Sequence, residues 1–304
     1  MTIHLDLTAA LELVSTHPDY KISKRISPRQ SFAKSDGRPL LKGVVVDAET
    51  TGTNAEVDAI IELGMVLFQF DPQTGQAFEV LGVFDELEDP GFAISEEVTA
   101  IHGITNEMVC GKRIDDAKVV EFLSGVSLVI AHNAQFDRVF LEKRLPIFAT
   151  LPWGCSFADI DWADQGIGSA KLDYIAYQYG LFYEAHRAQE DCFALLEVLQ
   201  QTLPKSECLV LKALLEHAQQ KSYTVHATGA PFETKDFLKN RGYRWNATQK
   251  CWHTNVVGDE AIKAEAAWLK EQVYTNKPAK IEIEVLNSLT RFSNRAGNKV
   301  IKEI

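Results

Sequence analysis

Asp47 and Glu49 stand two residues apart at the end of the run Gly43-Val44-Val45-Val46-Asp47. If that run is a strand, the two side chains share one face with Cα atoms roughly 6–7 Å apart. Two carboxylates at that spacing can hold divalent cations. A solvated strand end carries the same pair without any ion, so the pair needs company to mean chemistry. Asp137 supplies some, in His132-Asn133-Ala134-Gln135-Phe136-Asp137, at the join between an apolar run and a helix. Ligand sites of open α/β sheets gather outside the carboxyl ends of strands, although a lone acid in a first helical turn also serves the macrodipole. The third piece is His186-Arg187-Ala188-Gln189-Glu190-Asp191, an acid on a helix with a histidine in the loop before it. A histidine five residues ahead of an acid reaches the same cluster without ligating it, as a base on a metal-bound water requires. An imidazole, with an ordinary pKa of ~6.5, suits that task. His132 also precedes an aspartate by five residues, so spacing alone does not choose between them. The approach to His186 reads as the more flexible and better suits a base. Glu62, in Ile60-Ile61-Glu62-Leu63, either stands behind the acids or sits at a strand edge.

The elements that must hold these groups follow from the pattern. The β-branched run at 43–47 reads as a buried central strand. Residues 59–70 and 78–84, joined by the turn Asp71-Pro72-Gln73-Thr74-Gly75, read as a hairpin. Strands are expected at 126–131 and near 155–158, and helices at 115–123, 136–145, 171–179 and 189–200. A meander followed by strand–helix alternation indicates an α/β domain with a mixed sheet of about five strands.

The order Val-Asp47-x-Glu49-Thr-Thr-Gly, His-Asn133-x-x-Phe136-Asp137 and His186-x-x-x-x-Asp191 resembles the DEDDh group of 3′–5′ exonucleases, relatives of the DnaQ proofreading subunit and of ribonuclease T. Ile101-His102-Gly103-Ile104-Thr105 matches a segment typical of that family between the first two motifs. A sister group carries tyrosine four residues before the last aspartate, where this chain has Arg187. The resemblance covers residues 43–202 and implies a ribonuclease-H-like fold. It implies that Asp47, Glu49, Asp137 and Asp191 bind two Mg²⁺ or Mn²⁺ ions, with His186 as the general base. Such two-metal sites hold their ions about 3.5–4 Å apart. It further implies contacts from Thr50, Thr51, His102, Asn133 and Phe136 to the terminal nucleotide. The expected activity is removal of nucleoside 5′-monophosphates from 3′ ends of single-stranded or frayed nucleic acid, DNA favoured, in proofreading or repair. A polymerase or repair protein is the expected partner besides nucleic acid. The other readings are a non-catalytic nucleic-acid- or polymerase-binding protein and an RNA-trimming exoribonuclease.

Composition agrees with a globular protein: 304 residues, 46% hydrophobic and 24% charged, exclude collagen, coiled coil and wholesale disorder. Five scattered cysteines without a CxxC pair argue against a zinc ribbon or a disulfide framework. With no long apolar run, the chain is expected to be soluble, cytoplasmic and free of membrane contact. The net charge of −11 is unevenly spread. Residues 43–204 hold 27 acids against 8 Lys and Arg, a balance of −19, whereas residues 1–42 and 205–304 carry +3 and +5. The expected organisation is an N-terminal helix and basic arm or linker (1–42), the exonuclease domain (43–204), a connecting helix (205–220), a small α+β accessory module (221–275) and a thinly apolar tail (276–304). The module interleaves rings such as Tyr243, Trp245 and Trp252 with Lys239, Arg241 and Arg244. Rings for stacking beside cations for phosphate suit single-stranded nucleic acid, while the same rings also suit a small core. The acidic middle attracts cations, and the basic flanks attract phosphate.

Overall fold

Val44, Val45 and Val46 are fully buried, because the strand they belong to runs through the middle of a sheet covered on both faces. The computed structural model describes residues 6–295 and 297–304. Its first elements are helix α1 (Leu7–Ser15) and a two-residue strand β1 (Lys24–Arg25). Strands β2 (Leu41–Thr50), β3 (Ile60–Phe70) and β4 (Ala77–Leu87) form the antiparallel meander. Short helices α2 (Glu96–His102), α3 (Asn106–Val109) and α4 (Asp116–Phe122) lead to β5 (Val126–Ala131), α5 (Ala134–Arg144) and β6 (Trp153–Cys155). β5 pairs parallel with β2, and β6 parallel with β5. The order β4-β3-β2-β5-β6 is the mixed five-stranded sheet of a ribonuclease-H-like domain. α6 (Leu172–Gln178), strand β7 (Leu181–Phe182), α7 (Ala188–Leu199) and α8 (Val210–Ala218) follow.

Alternation along β2 decides what each face meets. Val45 joins Cys192, Phe193 and Leu211 from α7 and α8, whereas Val44 and Val46 join Val119, Phe140 and Leu141 from α4 and α5. Asp47 and Glu49 have the parity of Val45 and therefore rise on the α7 face. Gly64, paired with Asp47 across the β2–β3 ladder, makes this packing possible. A Cβ there would lie 2.4 Å from the backbone carbon of Ala188, so only glycine lets the start of α7 sit on the sheet.

After α8 the chain builds a second sheet from β8 (Ser222–Ala227), β9 (Arg244–Asn246), β10 (Cys251–Val257), β11 (Lys280–Leu286) and β12 (Asn298–Glu303). Helices α9 (Lys235–Asn240) and α10 (Asp259–Trp268) cover one face, burying Leu238, Ile262 and Ala266 against Val225, Ile281 and Ile283. The order β12-β11-β8-β10-β9 corrects the expectation of a tail at 276–304: β11 pairs with β8 inside the sheet. Its alternation Lys280-Ile-Glu-Ile-Glu-Val-Leu286 buries only two residues below a tenth of their surface, which is why the apolar signal is thin. The connecting helix starts only at Val210, and the strand expected near 155–158 lies at 153–155.

The arm at 20–42 is docked rather than a free linker. β1 pairs parallel with β7, Ile26 is buried, and Ser31 bridges to Glu79 on the edge strand β4. Its three arginines are paired within the chain: Arg25 meets Glu184 at 2.9 Å, Arg29 meets Glu197, and Arg38 meets Asp71 at 2.7 Å. Part of the positive charge expected to attract phosphate is thereby neutralised. No helix among the described residues is long and apolar enough to cross a membrane.

Candidate active site

β2 delivers Asp47 and Glu49 at its carboxyl end, and α7 delivers Asp191 from its first turn. One carboxylate oxygen from each of the three lies within 4.8 Å of the others. Asp137 comes from the first turn of α5 on the opposite face of the sheet. It is almost fully buried and turns Oδ1 onto the Ala48 N–H at 3.2 Å, between Asp47 and Glu49. The four acids therefore close around the end of one strand.

Electrostatics make this closure costly for the protein alone. Burial, then the nearby charges of Asp137, Asp191 and Glu49, push the Asp47 carboxyl well above the usual carboxylate range. Burial raises Glu49 to about 7, with Asp191 adding to the shift. Burial likewise raises Asp137 to about 8 against the hydrogen bond from Ala48. Asp191 is raised by burial, and the Tyr183 hydroxyl and the N–H groups of His186 and Arg187 hold it down. Like charges packed out of water favour protonation unless a cation joins them. An all-oxygen donor set of carboxylates suits a hard divalent ion, so the residues present fit such a group.

The loop before α7 is tied at several points. The Tyr183 hydroxyl donates to Asp191 Oδ1 at 2.9 Å, and the His186 and Arg187 N–H groups donate to Oδ2 at 2.8 and 3.2 Å. His186 has φ +70°, and its side chain is exposed. The left-handed backbone is costly for a non-glycine residue, and the bonds to Asp191 offset it. Glu62, buried in β3, receives Arg187 Nε at 3.0 Å, Nη2 at 2.7 Å and the Ala188 N–H at 2.9 Å. An acid in an apolar strand and an arginine beside a candidate base were the signals for this pair, but no spacing rule joins residues 125 apart.

His132 is differently placed. Its Nε2 meets the Ala170 carbonyl and its Nδ1 the Ser156 hydroxyl, both at 2.8 Å. Since a carbonyl only accepts, Nε2 carries the proton and Nδ1 accepts from serine. Burial pushes His132 down to about 4. His102 is buried and accepts the Ile104 N–H on Nδ1 at 3.0 Å, which leaves a proton on Nε2 without a partner among the described residues. It lies close enough to His186 and Glu62 to sense their charges.

Of the other expected contacts, Asn133 is exposed at φ +71° as the N-cap of α5, and Phe136 is half-buried on its first turn. Thr50 spends its hydroxyl on the Gly52 carbonyl at 2.6 Å, and Thr51 its hydroxyl on Asp58 at 3.2 Å. Both stiffen the turn after β2. In the second sheet, Arg241 pairs with the buried Glu265 at 3.0 Å and lies over the Trp268 ring. Lys239, Arg241 and Arg244 are all exposed.

A family model described as exonuclease, of the RNase T type, matches residues 44–199. Among curated proteins, the chain is 28% identical over 204 residues to a DNA polymerase III PolC-type of Thermotoga maritima, covering 65% of this chain and 14% of that protein. It is 30% identical over 194 residues to the DNA polymerase III subunit epsilon of Treponema pallidum, covering 61% of this chain and 82% of that one. The chain thus spans about one-seventh of the PolC-type relative's length. Among solved structures, exonuclease X in complex with 5′ overhanging duplex DNA matches at 24% identity and TM-score 0.39, covering 56% of this chain and 99% of that one.

Proposed function

The chain belongs to the RNase T-type exonuclease family, in the DEDDh group of the ribonuclease-H-like superfamily, and from that premise we propose that it hydrolyses nucleic acid from the 3′ end, releasing nucleoside 5′-monophosphates. The observation that carries the proposal is the gathering of Asp47, Glu49 and Asp191 oxygens within 4.8 Å of one another. Asp47, Glu49, Asp137 and Asp191 would hold two divalent cations, Mg²⁺ or Mn²⁺. Those ions, when bound, supply Lewis-acid stabilisation of charge at the scissile phosphate.

The chain's own groups account for the rest. His186, exposed on a loop pinned to Asp191, takes a proton from the attacking water. His132, with both ring nitrogens engaged, is unsuited to that exchange and fixes the strand-to-helix turn. The unpartnered Nε2–H of His102 is available to donate to a substrate phosphate. Asn133 and Phe136, at the exposed start of α5, form a platform for the terminal nucleotide. The Thr50–Thr51 turn holds the chain's approach to it.

We favour DNA as substrate, and proofreading or repair beside a polymerase as the setting, because the similar proteins include DNA polymerase III components. The test is a parallel digestion of labelled single-stranded and duplex DNA and RNA with Mg²⁺ or Mn²⁺, with and without chelator. Release of mononucleotides from 3′ ends, faster on single-stranded DNA and abolished by chelator, is expected. No release under any divalent metal would overturn the enzymatic reading, and a preference for RNA would reassign the substrate.

A further inference from the structure

Between β11 and β12 the chain leaves the second sheet and crosses to the exonuclease domain. The Trp153 N–H donates to the Ser288 carbonyl at 2.8 Å. Arg138, on α5 and fully buried, donates to the carbonyls of Arg291 at 2.6 Å and Leu289 at 2.7 Å. Glu142, one turn further along α5, accepts from the Ser293 hydroxyl at 2.6 Å and from Arg295 Nη2 at 3.1 Å. Arg291 reaches the buried Asp159. A segment held by this many charge-assisted bonds is a wall, and Asn294 stands exposed between two of its anchors.

That wall faces a cleft of about 230 Å³ whose other sides are the loop Thr53–Glu56 and the first turns of α5, including Gln135, Phe136 and Phe140. The loop is itself stiff. Asp58 accepts the Asn54 N–H at 2.8 Å, and Lys143 donates to the carbonyls of Ala55 and Glu56. Phe136 precedes Asp137 on the first turn of α5, so the cleft lies at the end of the helix that delivers this acid. Its chemistry is amides, a hydroxyl, aromatic faces and the Glu56 carboxylate, whose charge disfavours a phosphate. Such a lining suits a neutral, planar, hydrogen-bonding group, not a phosphate.

We propose that the segment 288–295 completes the substrate groove, with Asn294 hydrogen-bonding a base of the single strand whose 3′ end lies at the acids. The second sheet thereby supplies a specificity-determining residue to the exonuclease domain. The inference rests on the exonuclease reading, and two substrates separate the two ideas. The p-nitrophenyl ester of thymidine 5′-monophosphate has one nucleoside and tests the acids, whereas a short single-stranded oligodeoxynucleotide also engages the neighbouring positions.

In the full-length chain, Asn294→Ala should lower the ratio of kcat/KM on the oligonucleotide to that on the ester by about threefold to tenfold, the weight of one hydrogen bond. Asn294→Asp, which presents a negative charge to a polyanion, should lower it further. The change should fall mainly on KM. An unchanged ratio, whether both rates fall or neither does, would overturn the proposal. A wild-type protein inert on both substrates with Mg²⁺ and Mn²⁺ would overturn the exonuclease reading, and this inference with it.

Discussion

Two groups of buried or half-buried acids in the molecule are treated in opposite ways. At the seam between the sheets, each has an arginine: Glu142 has Arg138 and Arg295, and Asp159 has Arg291. At the end of β2, Asp47, Glu49 and Asp137 have one another, and their carboxyls are pushed upward as a result. Glu142 is buried too, yet hydrogen bonds and the charges of Arg138 and Arg295 outweigh burial and hold it below its ordinary value. A chain able to pair its buried acids with arginine has left one group unpaired, where a cation from solution can enter. The difference separates carboxylates that hold the fold from the carboxylates proposed to do chemistry.

The comparison is broken most severely by exchanging one charged residue in each region. Asp47→Asn should reduce nuclease activity to background, while the metal-free protein melts at the same or a higher temperature because a like charge is gone. A large loss of metal-free stability in that variant would refute the contrast. Arg291→Met should do the reverse. It removes the guanidinium from Asp159, whose carboxylate is completely buried, and leaves it His217 and the Cys155 N–H. Breaking a buried pair costs about 3–5 kcal/mol, to be read from denaturant unfolding, with the four metal-binding candidates untouched.

Next in size is the proton-transfer step. His186→Ala should lower kcat by roughly 10²–10⁴ with little change in oligonucleotide binding. His132→Asn should act chiefly on stability, since both its ring nitrogens are spent on structure. Single-turnover rates at saturating substrate check the ranking, and a reversed order would move the base to His132.

The smallest effect sharpens the contrast through pH. Glu49 and Asp137 have folded pKa values near 7 and 8, above their ordinary ones. They favour the fold below pH ~4 and withdraw that support as pH rises through 7 to 8. Glu142, held low, contributes above its ordinary pKa and is lost as pH falls. In chelator, the melting temperature should therefore decline between pH 5 and pH 8, and Mn²⁺ should flatten the decline. A metal-free melting temperature that rises over the same range would contradict the raised values.

The candidate acids were legible because each sits at a junction that local pattern marks: Asp47 and Glu49 after a β-branched run, Asp137 after Val126–Ala131, and Asp191 behind a histidine. What brings Asp191 to Asp47 was not. Gly64 looks like any glycine in a strand until Ala188 is found against it. Arg138 reads as a solvent-facing helix residue, being charged and four residues from Glu142, yet it is fully buried. Besides Glu142, its partners are backbone carbonyls 150 or more residues away, which carry no side-chain signature. α2 and α3 were missed because they are short and their helical character rests on the caps Ser95 and Thr105 more than on periodicity. β11 was missed because three of its seven residues are charged. Its burial depends on a neighbour, β8, some sixty residues earlier.

The seam also sets an order of events during synthesis. Arg138 is made 150 residues before Ser288, whose carbonyl it needs. Domains generally fold from the N-terminal side as the chain emerges. Until residues 288–291 appear, Arg138 has only Glu142, on its own helix, as a partner, and the face of α5 that they cover is open to water. Since α5 carries Asp137, the helix that delivers this acid gains its full set of contacts only when translation has passed the second sheet's fourth strand.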